Sequence, residues 1–197
     1  KSVEYTGGEP TECEFLPEVM SFVKKKYKLG QSVITNGSAD EEVYSSFIRS
    51  GVDEFLFSAH GYDERSHFLI TCAIGSWKRL INAMKFVDSF SNIKLRVNTT
   101  ICKYNYLHLR EQAELFLKTF KNLFMINYLP MNSWDNSLMF QDISVPYRNY
   151  AEILKSAIIY LKENSGVKIA VRYAPYCCFP SEIHDFIYNH IHHVYDE

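Results

Sequence analysis

Gly7-Gly8-Glu9-Pro10 follows a short strand-like run, Ser2-Val3-Glu4-Tyr5-Thr6. Paired glycines at a strand end let the backbone take positive φ and let a ligand approach closely. Glu9 then offers a fixed anion to a cationic group, and Pro10 stiffens the exit. Taken alone, the word is an ordinary glycine-proline turn. The rest of the chain gives it weight, because later strand-like runs also close on polar or glycine-containing groups. These are Thr35-Asn36-Gly37, Ser58-Ala59-His60-Gly61, Asn98-Thr99-Thr100, Asn127-Tyr128 and Arg172-Tyr173.

Each of these residues has a functional and a structural reading. Glu9 is either a ligand to a cation or a helix-start carboxylate favoured by the helix dipole. Asn36 is either a ligand contact or a left-handed turn former before Gly37. Ser58 and His60 contact a ligand or hydrogen-bond within their loop. Asn98 lies inside a strand, where a buried amide needs partners, so it is either a ligand contact or a structural acceptor. Arg96 is read as facing away from Asn98.

The elements that must position these groups alternate. Leu16 to Tyr27 fits a helix, with Pro17 in its first turn, the Lys24-Lys25-Lys26 run complementing its dipole, and Gly30 just beyond. Ser32–Asn36 is a strand, and Ser38-Ala39-Asp40-Glu41 spells a capping box for the next helix. Glu54–Ser58 is a strand, followed by a polar stretch from His60 to Ser66. Helices are expected from Ser76, over Leu107 to Phe120, and from Pro146 to Gly166. The remaining strands are Ile93–Ile101, Leu123–Tyr128 and Val167–Tyr173, with an irregular loop over 129–142. Strands alternating with helices at this spacing argue for right-handed βα units and a parallel sheet. Chemistry in such folds gathers at the carboxyl ends of the strands.

At 197 residues with 47% hydrophobic content, the chain can bury one sizeable core, so one domain over residues 1–197 is expected. A net charge of -2 gives no electrostatic argument for nucleic acid or an anionic membrane surface. Cys13, Cys72, Cys102, Cys177 and Cys178 are odd in number and scattered, which argues against a secreted disulfide framework and for a reducing cytoplasm. His184, His190, His192 and His193 are too loosely patterned to define a metal site. The Lys1 start and the abrupt Tyr195-Asp196-Glu197 end read as cuts in a longer protein.

The ordered strand-end words resemble the radical S-adenosylmethionine (radical SAM) enzymes. Gly7-Gly8-Glu9-Pro10 matches a family motif letter for letter, and Thr35-Asn36-Gly37 and Ser58-Ala59-His60-Gly61 follow in the family's order. Gly75-Ser76-Trp77, Arg96-Val97-Asn98-Thr99-Thr100-Ile101 with Asn105, and Arg172-Tyr173-Ala174-Pro175-Tyr176-Cys177 look like later family segments. The resemblance implies a partial (β/α)6 TIM-like barrel of parallel strands.

It also implies S-adenosylmethionine as cofactor, held by Gly7, Gly8, Glu9, Pro10, Asn36, Ser58 and Asn98. Glu9 would meet the methionine amino group. His60, Asn127 and Arg172 are the substrate-side candidates. The family's C-x₃-C-x₂-C loop, which binds a 4Fe–4S cluster, does not occur in this sequence. Its cysteines are therefore expected upstream, and this chain alone is expected to be inactive. Cys177 is a candidate ligand to an auxiliary cluster completed beyond Glu197.

With the cluster, the implied activity is formation of a 5′-deoxyadenosyl radical that abstracts hydrogen from a small-molecule or peptide substrate, with an external electron donor. The alternative is a non-catalytic S-adenosylmethionine-binding module without a cluster.

Overall fold

The computed structural model describes residues 1–131 and 142–188. In chain order the main elements are β1 (Ser2–Tyr5), α1 (Leu16–Tyr27), β2 (Gly30–Thr35), α2 (Glu41–Arg49), β3 (Glu54–Ser58), α3 (Glu64–Thr71) and α4 (Ser76–Asp88). They continue with β4 (Lys94–Ile101), α5 (Leu109–Thr119), β5 (Leu123–Pro130), α6 (Tyr147–Asn164), β6 (Lys168–Arg172) and the two-residue β7 (Ile187–Tyr188). The strands form one seven-stranded parallel sheet in sequential order. That order is what successive right-handed βα crossovers produce, and the sheet curls into a half-barrel.

The two faces of this sheet differ in chemistry, and the difference makes the cavity. Val33, Phe55, Phe57, Leu95, Val97, Ile126, Tyr128, Ile169 and Val171 point outward and are buried under the helices. Their alternate neighbours point into the half-barrel, where Glu4, Ser32, Glu54, Arg96, Asn98, Asn127 and Arg172, together with the apolar Ile34, Leu56 and Leu129, line a cavity of about 550 Å³. A closed barrel fills this space with branched apolar side chains. Here charged and amide side chains interrupt the apolar layers, and the interior stays open to ligand or solvent.

The expected elements form, with local differences. Ser38 and Glu41 do not make a capping box, and α2 starts from Asp40 without a side-chain cap bond. The polar stretch after His60 runs into a helix, α3. A reciprocal Asp63/Ser66 box opens it, with Ser66 N donating to Asp63 Oδ1 at 2.7 Å and Asp63 N to Ser66 Oγ at 3.2 Å. The buried residues of α3 are Ser66 and His67, while Phe68 and Leu69 are exposed. No apolar stripe therefore announces it.

The Lys24-Lys25-Lys26 run does lie in the last turn of α1. Lys24 also pairs with Asp53 at 2.6 Å, tying α1 to the entry of β3. The loop expected over 129–142 begins later, because Leu129 and Pro130 extend β5 by pairing with Thr100 and Ile101, and the rest of it falls largely outside the described residues, as do His190, His192 and His193.

Candidate functional site

Gly7 and Gly8 leave β1 with φ of +90° and +51°, and nothing lies within 4 Å of where a Cβ would stand on either. This is the left-handed backbone that glycine adopts without strain, and it is open to approach. Pro10 is buried in the 3₁₀ turn that follows. The Glu9 carboxylate does not stand free. Oε1 accepts from Thr11 N at 3.2 Å, Thr11 Oγ1 at 2.8 Å and Thr35 Oγ1 at 2.8 Å. Oε2 accepts from Asn36 N at 2.8 Å. The side chain thus staples the loop after β1 to the loop after β2.

Asn36 performs the turn role, its Oδ1 accepting from Ser38 N at 2.8 Å. The left-handed residue is Gly37 instead, at φ +76°, and a Cβ there would sit 2.7 Å from Leu80 Cδ1 and 3.0 Å from Leu80 Cα. Gly37 is therefore required twice over, by its φ and by α4 packed against it.

Ser58, Asn98 and Asn127 stand side by side in strand register. Asn127 Nδ2 donates to Asn98 Oδ1 at 2.8 Å. This bond fixes the Asn98 amide so that its remaining polar group, the NH₂, is a donor beside the cavity. Arg172 lies higher on β6, on the same inner face. Its neighbour Tyr173 takes φ +60°, an uncommon conformation for a bulky residue, and also lines the cavity.

Arg96 corrects the sequence expectation. It is two residues before Asn98, not adjacent to it, and residues two apart on a strand share a face. It points into the cavity at 3% exposure, its Nη1 2.5 Å from Glu54 Oε1 and 3.9 Å from Glu4 Oε1.

His60 sits behind the rim. Thr100 N donates to its Nδ1 at 3.1 Å, so the ring carries its proton on Nε2. Burial, with the neighbouring His67, pushes its pKa down to about 4. At neutral pH His60 is an uncharged donor. The loop that carries it is held by residues that sequence reasoning did not single out for this role. Gln112 Nε2 donates to Gly61 O at 2.8 Å and Ala59 O at 3.2 Å, and Asn105 Nδ2 donates to His60 O and Thr100 O, each at 2.7 Å. Gln112 could have been noticed as a polar side chain on the buried face of α5, beside Leu109, Ala113 and Phe116.

The predicted residues therefore form two groups. Gly7, Gly8, Glu9, Pro10 and Asn36 build the rim at β1 and β2. Asn98, Asn127 and Arg172 line the cavity from β4 to β6, with Ser58 beside Asn98. Cys177 is exposed in the turn after β6, with Cys178 half-buried beside it. His184 Nε2 lies 3.0 Å from Phe179 O. Among the described residues no group of three potential ligands could hold a metal ion.

Several known proteins are similar to this chain in sequence or in fold. The chain is 27% identical over 164 residues to a probable GTP 3′,8-cyclase of Thermococcus kodakarensis, covering 83% of this chain and 52% of that protein. It is 28% identical over 113 residues to an S-adenosylmethionine-dependent nucleotide dehydratase of Lacinutrix mariniflava, covering 54% of this chain and 23% of that protein. Both relatives are radical SAM enzymes, the family that the strand-end motifs resemble.

Its half-barrel matches the partial TIM barrel of radical SAM neighbours. A domain of a pyruvate-formate lyase-activating enzyme from Bacteroides vulgatus superposes with a TM-score of 0.63 at 16% identity, covering 86% of this chain and 98% of that one. Streptococcus suis SuiB gives a TM-score of 0.69 at 15% identity, covering 86% of this chain and 39% of that one. These two likenesses carry the fold alone. No protein-family model matches the chain. The chain spans about half the length of the first of these radical SAM relatives and about a quarter of the second.

Proposed function

We propose that this chain is the S-adenosylmethionine-binding core of a radical SAM enzyme. The observation that carries the reading is the open Gly7-Gly8 backbone at the carboxyl end of β1. A cradle with positive φ and no atom within 4 Å of either Cβ position fits a ligand group brought up against the main chain. Carbonyl groups there accept hydrogen bonds from an ammonium. Glu9 supports that geometry by fixing the rim through Thr35 and Asn36.

This refines the expected role of Glu9. Its carboxylate is already taken by four donors, so it orients the loop and contributes negative potential, and the direct contact falls to the glycine backbone. Asn98 offers its NH₂ group, and Ser58 its hydroxyl, to ribose or carboxylate oxygens. His60, held neutral, can donate from Nε2 without adding charge. Bound S-adenosylmethionine would supply hydrogen-atom abstraction. The protein's part is to bind, to orient and to exclude water.

The cysteines of this chain do not fit a 4Fe–4S cluster. They lack the three-thiolate spacing, and no described trio of ligands converges. Thiolates elsewhere in the protein would have to hold it. The test pairs two assays: anaerobic iron and sulfide reconstitution of these 197 residues, and S-adenosylmethionine binding followed by thermal shift. Binding without stoichiometric cluster is expected. Failure to bind S-adenosylmethionine in any form of the protein would end the reading. Binding by a whole protein that never assembles a cluster or forms 5′-deoxyadenosine would favour the non-catalytic module.

A further inference from the structure

Cys177 and Cys178 are neighbours in sequence, and the cofactor reading leaves both thiols unused. They sit in the single 3₁₀ turn Tyr176–Cys178, which follows the end of β6 at Arg172. Cys178 N donates to Pro175 O at 3.1 Å and Phe179 N to Tyr176 O at 3.1 Å, closing the turn. Tyr176 Oη donates to Ile187 O at 2.8 Å, and Phe179 packs on Tyr147 and Tyr150, so the turn is anchored at both ends. Cys177 is exposed and Cys178 half-buried. Burial, and then the hydrogen bond and charge of Cys177, raise the Cys178 pKa, so one thiolate disfavours the other.

Two sulfurs without a third donor decide what the pair can take. Structural zinc asks for a full tetrahedral set of protein ligands, and catalytic zinc for all but one of it. A 4Fe–4S cluster likewise needs a larger set of thiolates. Among the described residues no trio of His, Cys, Asp or Glu converges to hold a metal ion. A disulfide between the two fails for a different reason. The peptide bond between them is trans, which sets neighbouring Cα atoms about 3.8 Å apart, whereas disulfides bridge Cα atoms about 4.4–6.8 Å apart. One atom inserted between the sulfurs widens the ring and relieves that strain. The ligand that fits is soft, so that it prefers sulfur, and has two valences open to it.

We propose that Cys177 and Cys178 form a dithiol site that captures a monosubstituted trivalent arsenical as a cyclic dithioarsonite. The exposed Cys177 attacks arsenic first as its thiolate, the nucleophilic form of the side chain. Cys178 then closes the ring. Two S–H bonds and the arsenic–oxygen bonding break, two As–S bonds form, and the oxygen leaves as water with both protons. Arsenic stays trivalent, so no electrons are transferred and no oxidant is needed. The second As–S bond is intramolecular, which strengthens retention over a single thiol by about a hundredfold or more. Cys13, Cys72 and Cys102 have no neighbouring cysteine in sequence and give only the singly bonded adduct. This chemistry needs no bound cofactor.

The probe is phenylarsine oxide, added in equimolar amount to the reduced 197-residue chain and read by intact mass and peptide mapping. One adduct is expected, heavier by the arsenical less one water and mapped to the peptide holding Cys177 and Cys178. It should survive excess 2-mercaptoethanol and be removed by 2,3-dimercaptopropanol, the signature of a chelate. In Cys177→Ser and in Cys178→Ser, the monothiol concentration that strips half the adduct should fall by about a hundredfold or more. Cys72→Ser should leave it unchanged. Cys177 is exposed, so its serine variant keeps the readout if Cys178→Ser does not fold.

An adduct that monothiol strips readily from wild type would overturn the dithiol site. So would an adduct that resists monothiol equally in Cys177→Ser, or retained arsenic that maps to Cys13, Cys72 or Cys102. Resistance in wild type and in Cys72→Ser, lost in Cys177→Ser, would support it.

Discussion

The carboxylate of Glu9 accepts the backbone amide of Asn36 at 2.8 Å, and through this bond the end of β1 and the end of β2 become one rigid rim. Gln at position 9 keeps the shape but replaces one acceptor oxygen with a donor. Glu9→Gln should therefore lower stability by about 1–3 kcal/mol with no ligand present. It should also weaken S-adenosylmethionine binding, because the rim loosens and loses negative potential. Paired thermal melts and calorimetry check both effects. An unchanged apo melting point would contradict the stapling role.

Gly61 is packed against the start of α3 so closely that a Cβ would meet His67 N at 2.4 Å and His67 Cα at 2.7 Å. Backbone atoms cannot swing aside as a flexible side chain can. Gly61→Ala should cost about 1–3 kcal/mol, as overpacking does. It should also shift the His60 loop, read as a change in the His60 ring resonances by NMR. A neutral substitution would show that α3 moves freely.

The fold was legible because nearly every strand carries an outward apolar set and ends on a glycine, amide or hydroxyl. Glu54–Ser58 was expected as a strand and forms over the same residues. What the sequence hid was set by tertiary partners. The burial of α3 through Ser66 and His67 leaves no hydrophobic period to read. The use of the Glu9 carboxylate by Thr35 and Asn36 joins residues 26 and 27 positions apart, which no local pattern predicts. Asn98 was legible as a polar residue within a strand, but its Asn127 partner, 29 residues away, was not. Arg96 stands two residues from Asn98, so strand alternation puts both on the inner face and not on opposite faces.

The Arg96–Glu54 pair sets a second stability test. With Arg96 buried and Glu54 largely so, Glu54→Gln leaves a guanidinium without its close anion. Removing one member of a buried pair costs about 3–5 kcal/mol. Urea unfolding should show a loss of that order, and Arg96→Met combined with Glu54→Leu should recover much of it. Equal losses in the single and double variants would argue against the pair.

His60 and His67 give the chain a pH dependence. Burial pushes both pKa values down to about 4, with His67 also acting on His60. The native state holds them neutral while the unfolded chain protonates them near pH 6.5. Their contribution is therefore complete above about pH 6.5 and is lost as pH falls toward 4. A loss on the order of 1–3 kcal/mol between pH 7 and 4.5 is expected in denaturant unfolding. His67 Nδ1 is buried without a hydrogen-bond partner among the described residues. His67→Phe should flatten the dependence without destabilising at pH 7. A pH profile unaltered by that change would place the titration elsewhere.

The most direct test of S-adenosylmethionine binding at the strand ends uses Asn98→Asp. The substitution keeps an oxygen to accept Asn127 Nδ2 and replaces the NH₂ donor beside the cavity with an anionic carboxylate oxygen, whereas Asn98→Ala would also remove the acceptor of Asn127 Nδ2. The measurement is the melting shift produced by saturating S-adenosylmethionine in wild type and Asn98→Asp. The expected result is a clear shift in wild type, a strongly diminished one in the variant, and apo melting points within a few degrees of each other. No shift in wild type, or the same shift in both proteins, would contradict a cofactor site built at the carboxyl ends of these strands.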